Sequence, residues 1–166
     1  MKAIILAAGK GTRLGALTSD KPKGMLDFMG KTIIEHQIDM YRSNGMNEII
    51  IIRGYKKNKI NYKNIKYIDN HLYDQTNMIE SLMCARKLLN DDCIISYSDI
   101  LFSKNLLKKL LDTNSPIAVT VDSNWKEYWK QRYGCLSKDL EDLQISDNKI
   151  TRIGREVSKA ESLHYR

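Results

Sequence analysis

Cysteine and proline are scarce in this chain, with three of the one and two of the other in 166 residues. Cys84, Cys93 and Cys135 are odd in number, lack CxxC spacing and sit in or beside apolar segments. That pattern predicts reduced thiols in a cytoplasmic setting and argues against a disulfide framework. No Pro/Ser/Gly-rich linker and no internal repeat divides the sequence, so one domain is expected over residues 1–166. No apolar run approaches the roughly 18 residues of a membrane span. The opening MKAIILAAG resembles a signal peptide only superficially, because its apolar run of about six residues breaks at once into glycine and charge. A buried first strand is expected instead. His36, His71 and His164 are scattered, and no Ser/His/Asp or Cys/His constellation is visible.

What is present is enough apolar material, 42% of residues, for one compact core, and a net charge of +7. A basic surface attracts phosphates and raises nucleic acid as a partner. Much of the excess lies in YKKNKINYKNIKY, residues 55–67, whose Lys/Asn/Ile bias reads as solvated surface; no nucleic-acid partner and no membrane is expected. Short apolar runs alternate with segments of helical period, as in a mostly parallel sheet with helices packed on it. Strands are predicted at residues 2–6, 48–53, 65–69, 93–97 and 117–121. Helices are predicted at residues 32–43, ending near Asn44-Gly45, from an Asn77 cap, and at residues 104–111. In the Asn77 helix, Met78, Ile79, Leu82, Met83, Leu88 and Leu89 form a stripe expected to face the core. An aromatic segment, NWKEYWKQRYG, and a hairpin through residues 146–149 follow.

Three phosphate-loop templates compete for LAAGKGTRL, residues 6–14. The dinucleotide fingerprint GxGxxG requires a third glycine where Leu14 stands, and a Walker A loop ending in Gly30-Lys31-Thr32 requires glycine at Met25. What remains is the longer unit formed with TSDKPK, residues 18–23. Gly9 and Gly11 let the main chain approach a polyanion and offer it N–H donors. Lys10, Arg13, Lys21 and Lys23 face only Asp20 in residues 10–23, a local excess of three positive charges suited to a nucleoside triphosphate. Pro22 fixes its own φ and stiffens the approach to Lys23.

LAAGKGTRLGALTSDKPKGM resembles the signature of the nucleotidyltransferases that join a nucleoside triphosphate to a phosphorylated sugar or small alcohol: L-A-A-G-x-G-[ST]-R-L, a spacer with Leu-Thr, then P-K. The resemblance implies a Rossmann-like, mostly parallel sheet flanked by helices, of the nucleotide-diphospho-sugar transferase type. It implies that Leu6, Ala7, Ala8, Gly9, Gly11, Thr12 and Arg13 hold base and phosphates, with Arg13 and Lys23 acting on the triphosphate during transfer. NMIESL, residues 77–82, is similar to the base-recognising segment of phosphocholine cytidylyltransferases, which makes Asn77 and Ser81 candidates for reading cytosine. A plain N-cap and an ordinary helix-surface serine are the competing readings. Asp99, after the apolar strand of IISYSDILF, lies where open α/β sheets collect ligands. The family places a Mg²⁺ ligand there, and a helix cap is the alternative. Trp125, Tyr128, Trp129 and Arg132 share one helical face, read either as core or as an acceptor pocket with an aromatic wall and a phosphate-binding arginine. The W-x-x-x-W-x-x-R spacing resembles a phosphocholine cytidylyltransferase-like subgroup that includes enzymes activating phosphoglutamine. Glu141, Asp142 and Tyr165 are further acceptor-side candidates.

The implied reaction is in-line attack of an acceptor phosphate on the α-phosphorus of a triphosphate, CTP favoured, with pyrophosphate leaving and Mg²⁺ as cofactor. The expected products are CDP-activated small molecules for capsule or other cell-surface decoration. Relatives with this signature run on through several more strands and helices, so the nucleotide half is expected to be complete and the acceptor part truncated. Two alternatives stay open beside it: a sugar-1-phosphate nucleotidyltransferase using UTP, dTTP or GTP, and a non-catalytic nucleotide-binding module.

Overall fold

The computed structural model describes residues 1–134 and 143–154 and divides into two compact units, residues 1–111 and 112–166. In the first unit, strand β1 (Lys2–Ala7) is followed by the 3-10 segment Thr12–Thr18 and the 3-10 turn Lys23–Met25. A small antiparallel pair, β2 (Asp27–Phe28) and β3 (Lys31–Thr32), leads into helix α1 (Ile33–Ser43). Strand β4 (Ile49–Arg53), strand β5 (Lys66–Asp69), helix α2 (Met78–Met83), strand β6 (Cys93–Tyr97) and helix α3 (Lys104–Leu111) complete it. The second unit contains α4 (Trp125–Tyr133) and the hairpin of β7 (Leu143–Ser146) and β8 (Lys149–Ile153). Its turn places both Asp147 and Asn148 at positive φ, the backbone a two-residue hairpin needs.

The main sheet is entirely parallel, in the order β5-β4-β1-β6. Its central strands are buried on both faces, which is why they read as unbroken Ile/Ala runs. Ala3, Ile5, Ile49 and Ile51 point into a cluster with Ile34, Ile38 and Tyr41 of α1 and Leu107 of α3. Ile4, Ile50 and Ile52 point the other way, onto Ala85, Leu82, Leu88 and Leu89. Parallel strands send all their C-terminal ends to one rim. Ala7, Arg53, Asp69 and Tyr97 therefore stand at the same edge, each followed by a loop.

Two expectations need correction. Residues 117–121 form no strand: Ile117 and Val119 are exposed, and among the described residues the run has no partner to complete a hydrogen-bond ladder, without which β-branched composition does not make a strand. The Asn77 helix stops at Met83 and resumes as a 3-10 turn, Arg86–Leu88. Its inward stripe is Ser81, Leu82, Ala85, Leu88 and Leu89, while Met78, Ile79 and Met83 are exposed. Leu82, Leu88 and Leu89 of the expected stripe do pack on the core, joined by Ala85 and by Ser81, whose hydroxyl has partners described below.

Candidate nucleotide-binding site

The rim is organised around the loop after β1. Gly11 adopts φ +68°, ψ +36°, a left-handed conformation that costs L side chains energy. A Cβ there would lie 2.6 Å from Cγ of Lys23, so the lysine stem runs directly over the glycine. Thr18, almost fully buried, donates its hydroxyl to the Gly11 carbonyl at 3.0 Å and closes the segment on itself. The N–H groups of Gly9, Lys10 and Gly11 donate to no protein acceptor among the described residues, as an anion-binding backbone requires. Tyr55 fixes the loop from β4: its N–H reaches the Ala8 carbonyl at 2.9 Å and its hydroxyl the Ser19 carbonyl at 2.7 Å. Gly54 leaves no room for a methyl, since a Cβ would meet Tyr73 and the Ala8 oxygen within 2.7 Å.

The cation and the carboxylate singled out in the sequence meet here. Lys23 Nζ donates to Asp99 Oδ2 at 2.8 Å across 76 residues of chain. Both side chains keep partial access to water, at 25% and 36%. Asp99 caps no helix; Ser103 does that for α3, accepting from the Leu106 N–H. Arg13 and Thr12 lie exposed on the same turn, and half-buried Leu6 with buried Ala7 and Ala8 forms its approach. Among the described residues no group of three His, Cys, Asp or Glu could hold a metal unaided.

Asn77 ends the segment joining β5 to α2 as the helix N-cap, and Ser81 lies in α2 one turn on. The Asn77 side-chain oxygen accepts from the N–H groups of Ile79 and Glu80, and Glu80 accepts in return from the Asn77 N–H, a complete capping box. Ser81 is buried; its hydroxyl donates to the Asn77 carbonyl at 3.1 Å and accepts from the Asn70 amide at 2.9 Å. Asn70 in turn reaches Thr76 and receives the Leu72 N–H, so this network shapes the loop carrying Asn77. Sequence reasoning missed Asn70, Thr18 and Tyr55, each of whose partners is fixed only by the fold.

In the second unit, Trp125 and Trp129 are buried at 1% and 6% exposure, the burial expected of their core reading. Their indoles meet edge to face, and Arg132 stacks on Trp129 and Tyr133. The Trp125 indole N–H finds no acceptor among the described residues. Glu141, Asp142 and Tyr165 lie outside the described residues.

A basic, glycine-containing loop at the rim of a parallel sheet, spanned by a lysine paired with an aspartate just past a strand end, is the fold and signature of a nucleotidyltransferase. The chain belongs to the MobA-like NTP transferase domain family, whose profile matches residues 3–160. It is 36% identical to the CTP:phosphoglutamine cytidylyltransferase of Campylobacter jejuni over 95% of this chain and 67% of that one. It is also 36% identical to the choline-phosphate cytidylyltransferase of Streptococcus pneumoniae, over 95% of this chain and 69% of the other. A Haloferax volcanii UTP–glucose-1-phosphate uridylyltransferase is 33% identical over 84% of this chain and 61% of its own length. The solved CTP:phosphocholine cytidylyltransferase of Streptococcus pneumoniae superposes with a TM-score of 0.59 at 37% identity, over 62% of this chain and 47% of that one. The chain thus spans about two thirds of the length of these curated relatives.

Proposed function

We propose that this chain carries the nucleotide-binding half of a cytoplasmic cytidylyltransferase that moves CMP from CTP onto a small phosphorylated acceptor of the phosphoglutamine or phosphocholine kind, for capsule or other cell-surface decoration. The observation that carries the reading is the Lys23–Asp99 pair, its lysine stem over Gly11, a cation and an oxygen donor held together beside a loop whose N–H groups donate to no protein acceptor among the described residues. The cytidylyltransferase relatives favour CTP and these acceptors.

Asp99 fits Mg²⁺: it is a hard oxygen donor with water access and, among the described residues, no wider acidic cluster, and Mg²⁺ commonly takes one or two carboxylates and fills its shell with phosphate oxygens and water. Bound there, the ion would neutralise charge on the transferring phosphates. The backbone N–H groups of residues 9–11 hold phosphate oxygens, while Arg13 and the Lys23 ammonium stabilise the charge that shifts toward pyrophosphate. A new bond forms between an acceptor phosphate oxygen and the α-phosphorus, and the bond from the α-phosphorus to the bridging oxygen breaks. The nucleophile is largely dianionic at neutral pH, because the second pKa of a phosphate monoester is about 6, so no general base is required. Asn77, its oxygen committed to the helix cap, presents its amide N–H groups to the base; Ser81 holds that loop in place. Trp125 and Trp129, buried in the second unit, serve its core; Arg132, Glu141 and Tyr165 stay the acceptor-side candidates.

A thermal-shift comparison of CTP, UTP, dTTP and GTP with Mg²⁺ tests the nucleotide. CTP at about 100 times its Kd should stabilise by about 2.7 kcal/mol and exceed the others; CTP as the weakest of the four would overturn the cytidine assignment. Pyrophosphate release on adding phosphocholine or phosphoglutamine tests transfer, and its absence with every phosphorylated acceptor leaves a binding module. The uridylyltransferase relative supports a second reading, transfer to a sugar 1-phosphate, which predicts UTP as the strongest stabiliser.

A further inference from the structure

The apolar stripe of α1 has one polar member. Ile34, Ile38 and Tyr41 enter the core, and Gln37 enters with them at 1% exposure. A buried amide is costly unless each of its polar groups finds a partner. Here each does. Its Nε2 donates to the carbonyl oxygens of Tyr97 at 2.8 Å and Ile100 at 2.6 Å, and its Oε1 accepts from the Ser96 hydroxyl at 3.1 Å. The two carbonyls flank Asp99.

We propose that Gln37 is the positioning residue for Asp99: from α1 it clamps both sides of the turn that follows β6 and so fixes where the carboxylate stands relative to Lys23 and a nucleotide-bound divalent ion. Two further contacts make the same frame. Between the clamped carbonyls, the Ser98 N–H donates to the Leu6 carbonyl at 3.1 Å, tying the turn to the strand that begins the phosphate loop. Ser98 Cβ would lie 2.8 Å from a Cβ at Gly24, the residue after Lys23, so the turn and the lysine segment approach as closely as glycine permits. Filling core volume does not explain Gln37, since leucine or methionine would do so without burying an amide. What the amide supplies, and an apolar side chain cannot, is the shape of residues 97–100.

This inference rests on the nucleotidyltransferase reading and extends it to a residue that touches neither nucleotide nor metal. The test uses the full chain, with Mn²⁺ as the probe and free Mn²⁺ read by electron paramagnetic resonance with and without CTP. Gln37→Met, of similar length without donors, should weaken CTP-dependent Mn²⁺ binding by about 10-fold or more, the range seen when groups supporting a metal ligand are removed. Half-maximal pyrophosphate release should shift to higher Mg²⁺ while KM for the acceptor stays unchanged. Ile38→Val, on the same helix and in the same core, should lose stability and keep the Mn²⁺ affinity of the parent. If Gln37→Met does not fold, Ser96→Ala, which leaves Oε1 without its donor and loosens the hold of Nε2 on the two carbonyls, should show a several-fold weakening. Parent affinity in folded Gln37→Met, or in Ser96→Ala where only that folds, overturns the inference and leaves the proposed function standing. An equal loss in Ile38→Val also overturns it, by making the effect one of general stability. A parent chain with no CTP-dependent Mn²⁺ binding overturns both.

Discussion

Lys23 extends across Gly11 to Asp99, and its role is separable from folding. An ion pair with this much water access is worth about 0–1 kcal/mol, whereas a donor aimed at developing charge is worth about 10²- to 10³-fold in rate. Lys23→Ala should therefore cut pyrophosphate release by about two to three orders of magnitude while the melting temperature moves little; a large fall in melting temperature would instead mark a structural lysine. Lys23 and Asp99 were legible in the sequence because each sits at a fixed place in a motif, one after proline and the other after an apolar strand. Gln37 was visible only as a polar residue in an apolar stripe. Its meaning depends on carbonyls 60 and 63 residues away, and nothing local in the sequence specifies them.

At the scale of elements, α2 shows how one residue can serve two ends. The Asn77 oxygen caps the helix, while its amide nitrogen is the proposed contact with cytosine. Asn77→Asp separates these duties, since a carboxylate caps a helix as well as an amide does but donates no hydrogen bond. The variant should melt within about 0.5 kcal/mol of the parent and bind CTP about tenfold more weakly, as expected for a lost hydrogen bond of about 1.4 kcal/mol. Unchanged CTP affinity would reduce Asn77 to a cap. The cap and the start of α2 were readable from Asn77 ahead of a stripe of helical period; its end was not. Nor was its buried face: packing takes in Ser81, Leu82 and Ala85 and leaves the more apolar Met78, Ile79 and Met83 exposed. The absent strand at residues 117–121 has a related cause: a strand exists only with a partner, and composition does not supply one.

Across the first unit as a whole, the basic run at residues 55–67 is a built crossover and not merely a solvated charge strip. Lys57 and Arg53 both bind Asp69, at 2.8 and 2.9 Å; Arg53 stacks on Tyr67, Ile60 is fully buried, and Tyr62 bonds Thr32 at the start of α1. Burial pushes the Asp69 carboxyl upward, but hydrogen bonds and charge from Lys57 and Arg53 outweigh it and leave the pKa below the ordinary aspartate value. A carboxyl depressed on folding adds stability above its unfolded pKa, and that stability is lost as pH falls through the lower folded value. Asp69→Asn should therefore melt below the parent at pH 7, and the difference should shrink as pH drops under about 4. A difference independent of pH would remove the ion pairs from the account.

The contact of Lys23 with Asp99 also bears on selectivity. With nothing bound, each of these two charges is largely cancelled by the other. A lone anion that captures the ammonium strands the carboxylate, and a lone cation that captures the carboxylate strands the ammonium. Only a ligand bringing both signs together, such as a polyphosphate already carrying its divalent ion, repays both halves at once, so the resting pair acts as a two-key lock.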